Sequence, residues 1–87
     1  MQRGDWYKSF TASESPMKVA ETYYRIVEVI DDDTLLVDEY TYYLNLKKYI
    51  KTSKTPVQRT SKWWLEQNIQ NNIYPIEREK VPFILHM

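Results

Sequence analysis

The chain has 87 residues, no cysteine, and twelve basic residues that twelve acidic ones cancel. The missing cysteines exclude disulfides, thiol nucleophiles and thiolate metal sites, and the zero net charge argues against a protein built mainly to neutralise phosphates. With 43% apolar and 15% aromatic residues, the composition fits a single domain over 1–87 whose bulky rings do most of the burying.

The opening stretch, MQRGDWYKSF, lacks the apolar core of a secretory leader, and no run reaches the ~18 apolar residues of a membrane span. The expected location is therefore cytoplasmic, with no membrane partner. Residues 4–10 alternate Trp6, Lys8 and Phe10 against Tyr7 and Ser9, the pattern of a short strand. Residues 11–18, TASESPMK, are small, polar and proline-containing, and read as a loop. Gly4 is the sole glycine, so no later turn has glycine to supply a positive φ.

Residues 21–46 carry the strongest strand signal. One run sets Tyr23, Val27 and Val29 against Tyr24, Ile26 and Ile30; a second sets Leu35, Val37 and Tyr43 against Leu36, Tyr40, Tyr42 and Leu44. Between them lies Asp31–Asp33, a triplet suited to a hairpin turn because an aspartate side chain can accept from the backbone N–H two residues on. Both faces of this hairpin are apolar, which calls for a strongly curved sheet or small barrel, or for a helix over one face and a partner over the other. A short strand is expected over 46–51, then a loop over 52–60.

Residues 61–73 form the one helix candidate, capped by Thr60 or Ser61 and stopped by Pro75. Leu65, Ile69 and Ile73 recur at i, i+4 and i+8 and define an inward line. Measured from it, Trp64 flanks the core and Trp63 falls nearly opposite, toward solvent, at ~100° per residue; if the helix instead starts only at Trp63 or Trp64, both rings pack onto the sheet from a bent cap. The tail, residues 81–87, reads as a terminal strand that Pro82 confines to a sheet edge or strand start, or else as a docked or disordered end. The expected fold is α+β: a small curved antiparallel sheet of four or five strands, or a partly open barrel, with the 61–73 helix across one face or end.

Charge order along the chain is not random. From 26 to 39 every charged residue is acidic (Glu28, Asp31, Asp32, Asp33, Asp38, Glu39), and from 40 to 62 every one is basic (Lys47, Lys48, Lys51, Lys54, Arg59, Lys62). The bland reading is two solvated faces that attract each other; the functional one is a pole that meets an oppositely charged partner. Trp63 beside Lys62 and Arg59 makes an aromatic and cationic patch of the kind found at protein interfaces. Tyr42 and Tyr43, with Tyr23 and Tyr24, either pack across strands or line a pocket for a planar or phosphorylated molecule.

Other motifs carry less. The aspartate triplet lacks the calcium-loop pattern, since position six is not glycine and position twelve is Tyr42. His86, the only histidine, sits next to the C-terminal residue, where it is expected to be mobile and without a rigid partner. The tripeptide RGD at 3–5 is too short to mean anything alone. No cofactor or metal is expected. Size and the tyrosine, asparagine and lysine usage resemble, in composition only, small accessory proteins of bacteria and their phages.

The sequence thus predicts a non-catalytic binding module, an inhibitor or adaptor, that meets a protein partner or its own copy as a homodimer through Trp63, Tyr42, Tyr43, Lys62 and Arg59. The alternative is nucleic-acid or nucleotide binding through Lys47, Lys48, Lys51 and Lys54, with aromatic stacking.

Overall fold

The spine of the fold is the long alternating run. In the computed structural model, which describes residues 2–10 and 19–86, it becomes strands β2 (Val19–Asp31) and β3 (Thr34–Tyr43), paired antiparallel around the aspartate turn. That turn has the expected chemistry, since Asp33 N donates to Asp31 Oδ1 at 2.8 Å. The loop expected at 11–18 lies outside the described residues.

Around this hairpin the other strands add on both sides. Strand β1 (Trp6–Phe10) pairs with β2, and β6 (Tyr74–Ile76) pairs with β1. On the far side β3 is long enough to hold two partners end to end: β4 (Lys48–Lys51) along Tyr40–Tyr43 and β5 (Val57–Thr60) along Thr34–Val37. Among the described residues the sheet has six strands, all antiparallel, and its outer strands β4 and β6 do not meet, so it is open. The α+β expectation holds in its open-sheet form, and the barrel does not.

Three boundaries differ from expectation. The segment 52–60 is not all loop, because 57–60 forms β5; β3 has an unfilled edge there, and the pair Val37↔Val57 fills it. A three-residue strand, β6, follows the helix although Pro75 interrupts it; proline is tolerated because β6 is an edge. Among its described residues the tail forms no strand, because β6 already occupies the free edge of β1. Instead two short 3-10 turns, Arg78–Lys80 and Phe83–His86, fold across the sheet, with Leu85 N bonded to Pro82 O at 3.0 Å.

Strand parity also changes inside β2. Ile26 pairs Val37 but Glu28 pairs Leu36, so Val27 is a bulge. One extra residue flips every side chain beyond it, which moves Val29 from the Tyr23 side to the Tyr24 side. Positive φ is supplied without glycine: Lys47 (φ 53) ends the β3–β4 turn and Asn72 (φ 50) ends the helix, asparagine being an ordinary left-handed cap.

Cover on both faces answers the two-sided apolar pattern. On one face Tyr24, Ile26, Leu35, Val37 and Ile73 pack with Trp64 from helix α1 (Ser61–Asn71). On the other, Trp6 and Tyr23 pack with Val81 and Leu85 from the C-terminal turns. Neither layer is a partner chain: the protein covers its own second face.

Candidate functional site

The helix is the most clearly placed of the predicted working elements, and its rotation is set at its start. Strand β5 runs straight into it, and Thr60, still extended, caps it by accepting from Trp63 N at 3.1 Å. Ser61 then ties this corner to the aspartate turn twice: its N–H donates to Asp33 O at 2.9 Å and its hydroxyl to Asp32 O at 2.8 Å. The backbone carbonyls of the acidic turn thereby meet the start of a helix that has no acidic residue in its own first turn.

With the first turn pinned, Trp64 faces the sheet. Its ring meets Tyr7 edge-on at 5.0 Å and Tyr24 at 5.6 Å, and only 3% of it is exposed. The inward line expected from Leu65, Ile69 and Ile73 is therefore wrong. Leu65 is 62% and Ile69 83% exposed; Ile73 is buried, but from beyond the helix end. The i, i+4 spacing is real, yet spacing cannot say which way a helix is turned. Here the anchored corner decides, and it favours the indole, the larger apolar surface.

Trp63 is not the exposed ring the periodicity implied. It is half-buried against the same core and lies 6.2 Å from Trp64. Over its face sits the Arg59 guanidinium, 4.2 Å from the ring centre. Arg59 is in turn bound by Glu39 through two hydrogen bonds, Nε to Oε2 at 2.8 Å and Nη2 to Oε1 at 3.2 Å. Glu39 is nearly buried. The stack Trp63–Arg59–Glu39 spends the cation internally, so Arg59 is a structural residue before it is a binding one.

The charge segregation seen in the sequence is resolved the same way. Acidic β3 carries basic β4 and β5 end to end along one edge: Glu39 takes Arg59 on the helix face, and on the opposite face Asp38 takes Lys51 at 3.2 Å and Arg25, from β2, at 3.8 Å. Lys51 also lies over the Tyr40 ring at 5.9 Å. The two segments of opposite charge attract each other within the chain.

The remaining predicted residues do not converge. Tyr42 packs on Tyr49 at 4.9 Å, which continues to Tyr23 at 6.1 Å; this tyrosine row is on the face away from Trp63. Tyr43, next along β3, pairs with Lys48. Lys47 and Lys48 lie at the β3–β4 turn, and Lys54 is exposed in the loop before β5. Lys62 alone shares a surface with the helix, on its outward side with Leu65, Glu66 and Ile69, all exposed. Sequence reasoning missed this surface because it assigned Leu65 and Ile69 to the core.

Burial raises several phenols above the ordinary tyrosine value. For Tyr24 burial leads, Ser9 pulls back, Glu39 adds and Arg59 opposes; for Tyr7 burial leads and Asp5 adds. Tyr23 and Tyr49 are raised first by burial and then by Glu21. No helix among the described residues is long and apolar enough to cross a membrane. No protein-family model matches the chain, and no curated protein or solved structure resembles it significantly.

Proposed function

We propose that the protein is a non-catalytic interaction module, an adaptor or inhibitor, that docks on a protein partner or a second copy of itself through the outward side of α1. The observation that carries this reading is the exposure of Leu65 and Ile69, 62% and 83%, one turn apart on a helix whose opposite side is locked to the sheet. Lys62, Leu65, Glu66 and Ile69 fall at i, i+3, i+4 and i+7, the spacing by which a helix lies in an apolar groove.

Magnitudes bound the interaction. Burying two such aliphatic side chains gives about 3–6 kcal/mol, below the ~8 kcal/mol of a micromolar complex. A stable complex must therefore also engage Lys62 and the open edge of Trp63. The alternative, nucleic-acid binding, has less support, because Lys51 and Arg59 are held by Asp38 and Glu39. Lysines along an exposed strand edge also keep it from pairing with other sheets.

The test is the double variant Leu65→Gln, Ile69→Gln. Both positions are exposed, so stability should change by no more than ~0.5 kcal/mol each. Self-association measured by sedimentation, and crosslinking from a photoreactive residue at Lys62, should fall sharply. If the double variant assembles and crosslinks as the parent does, this reading is wrong.

A further inference from the structure

On the face covered by the C-terminal turns, the packing leaves a cavity of about 210 Å³ lined by Gly4, Trp6, Arg25, Tyr40, Arg78, Leu85 and His86. Its residues come from β1, β2, β3 and both 3-10 turns, so the fold assembles it from distant parts of the sequence. Two arginines line it and, among the described residues, no acidic one does. Nearby acidic groups lie outside this lining: Asp38 is shared between Lys51 and Arg25, and Glu79 lines an adjoining hollow with Val81 and Phe83, reached past Arg78 and His86, which border both.

The arginines have donors to spare. Arg25 reaches Asp38 only at 3.8 Å, through one of five N–H groups, and Arg78 makes no ion pair among the described residues. His86 is not the mobile residue its position suggested. Its ring packs edge-on against Trp6 at 5.4 Å, and Nε2 lies 3.1 Å from Arg78 O. A carbonyl only accepts, so Nε2 carries the proton, and the contact holds the Arg78 turn against the cavity. Trp6 and Tyr40, 6.0 Å apart and tilted by 32°, provide an aromatic wall.

We infer that this cavity binds a small organic oxyanion, a carboxylate or phosphate monoester, with its charge between Arg25 and Arg78 and its flat body against Trp6 and Tyr40. Paired arginines suit planar and tetrahedral oxyanions. Size limits the ligand: the volume is about seven times the ~30 Å³ share of one water and below the ~300 Å³ where drug-sized sites begin. One oxyanion and one ring fit; a polymer does not.

The experiment follows the Trp6 indole N–H resonance of the full chain at low salt during titration with phenyl phosphate, benzoate, inorganic phosphate and benzyl alcohol. Phenyl phosphate or benzoate should saturate with a Kd of about 1 mM or tighter, and benzyl alcohol should have no effect. Arg78→Gln, at an exposed turn position that leaves the core intact, should weaken binding roughly tenfold or more. Arg25→Lys, which keeps the charge beside Asp38, should weaken it less. No saturable shift with any of the anions, parent-like binding by Arg78→Gln, or an equal response to benzyl alcohol would each overturn the inference. Inorganic phosphate binding as tightly as phenyl phosphate would overturn the role given to Trp6 and Tyr40.

Discussion

The two faces of the sheet draw on the same pair of strands, β2 and β3, yet they are closed differently. On the helix face a regular element, anchored at Thr60 and Ser61, lowers one indole between Tyr7 and Tyr24. On the other face two 3-10 turns reach across Trp6 and Tyr23 with only Val81 and Leu85 buried, while Phe83 and Ile84 stay exposed. Short 3-10 segments have poor hydrogen-bond geometry and eclipse side chains every third residue, so they cover a surface without filling it. The result is an indole packed between two tyrosines on one side and a lined cavity on the other. Strand alternation supplies two apolar faces; the covering element decides whether a face is only structure or also a place where something can bind.

The largest expected effect tests that contrast directly. Trp64→Ala should lose about 3–5 kcal/mol in urea unfolding, the range for a buried tryptophan. Leu85→Ala should lose only about 2 kcal/mol, the low end for a buried leucine, because its surroundings already include a cavity into which neighbours can relax. A loss at Leu85 equal to that at Trp64 would break the comparison.

The ion pairs sharpen it at a smaller scale. On the helix face Arg59 is held bidentately beneath Trp63. Glu39→Gln should cost about 2–3 kcal/mol, less than the 3–5 of a fully buried pair, since the guanidinium side chain keeps 28% exposure. On the cavity face Asp38 is as buried as Glu39 but has two cations, Lys51 and Arg25; Arg25 remains when Lys51 is lost, so Lys51→Met should cost less, about 1–2 kcal/mol. Thermal melts of the two variants check the order, and equal losses would mean the two faces are electrostatically alike.

How much of this was legible in the sequence depends on the range of the determining interaction. The hairpin was readable because its alternation and its Asp31–Asp33 turn are local, down to the bond from Asp33 to Asp31. The cap at Thr60 was readable for the same reason. The rotation of α1 was not, because Leu65 and Ile69 carry a core-like spacing and only the bonds from Ser61 to a turn nearly thirty residues earlier reveal that Trp64 faces inward. The bulge at Val27, strand β5 and the partners of Asp38 and Glu39 are likewise set by what lies across the sheet. The cavity was least legible of all: Gly4, Arg25, Arg78 and His86 share no spacing, and His86 looked like a loose end until Trp6 and Arg78 were found beside it.

The smallest expected effect concerns pH. Burial favours the neutral phenol of Tyr24, so its folded pKa lies above the unfolded value of about 10. Below pH ~10 the phenol is protonated in both states and contributes no pH dependence. As pH rises further the unfolded chain loses its proton first, and stability falls by at most ~1.4 kcal/mol per pH unit for this one group. Tyr24→Phe should flatten the alkaline limb of the stability profile. Tyr23→Phe, on the cavity face, should flatten it less, because Lys8 beside Tyr23 offsets part of the rise caused by burial and Glu21. Unfolding curves collected between pH 9 and 11 measure both slopes. If Tyr23→Phe gives the flatter profile, the cavity face is the more desolvated of the two, and the difference drawn between a helix-filled face and a merely covered one does not hold.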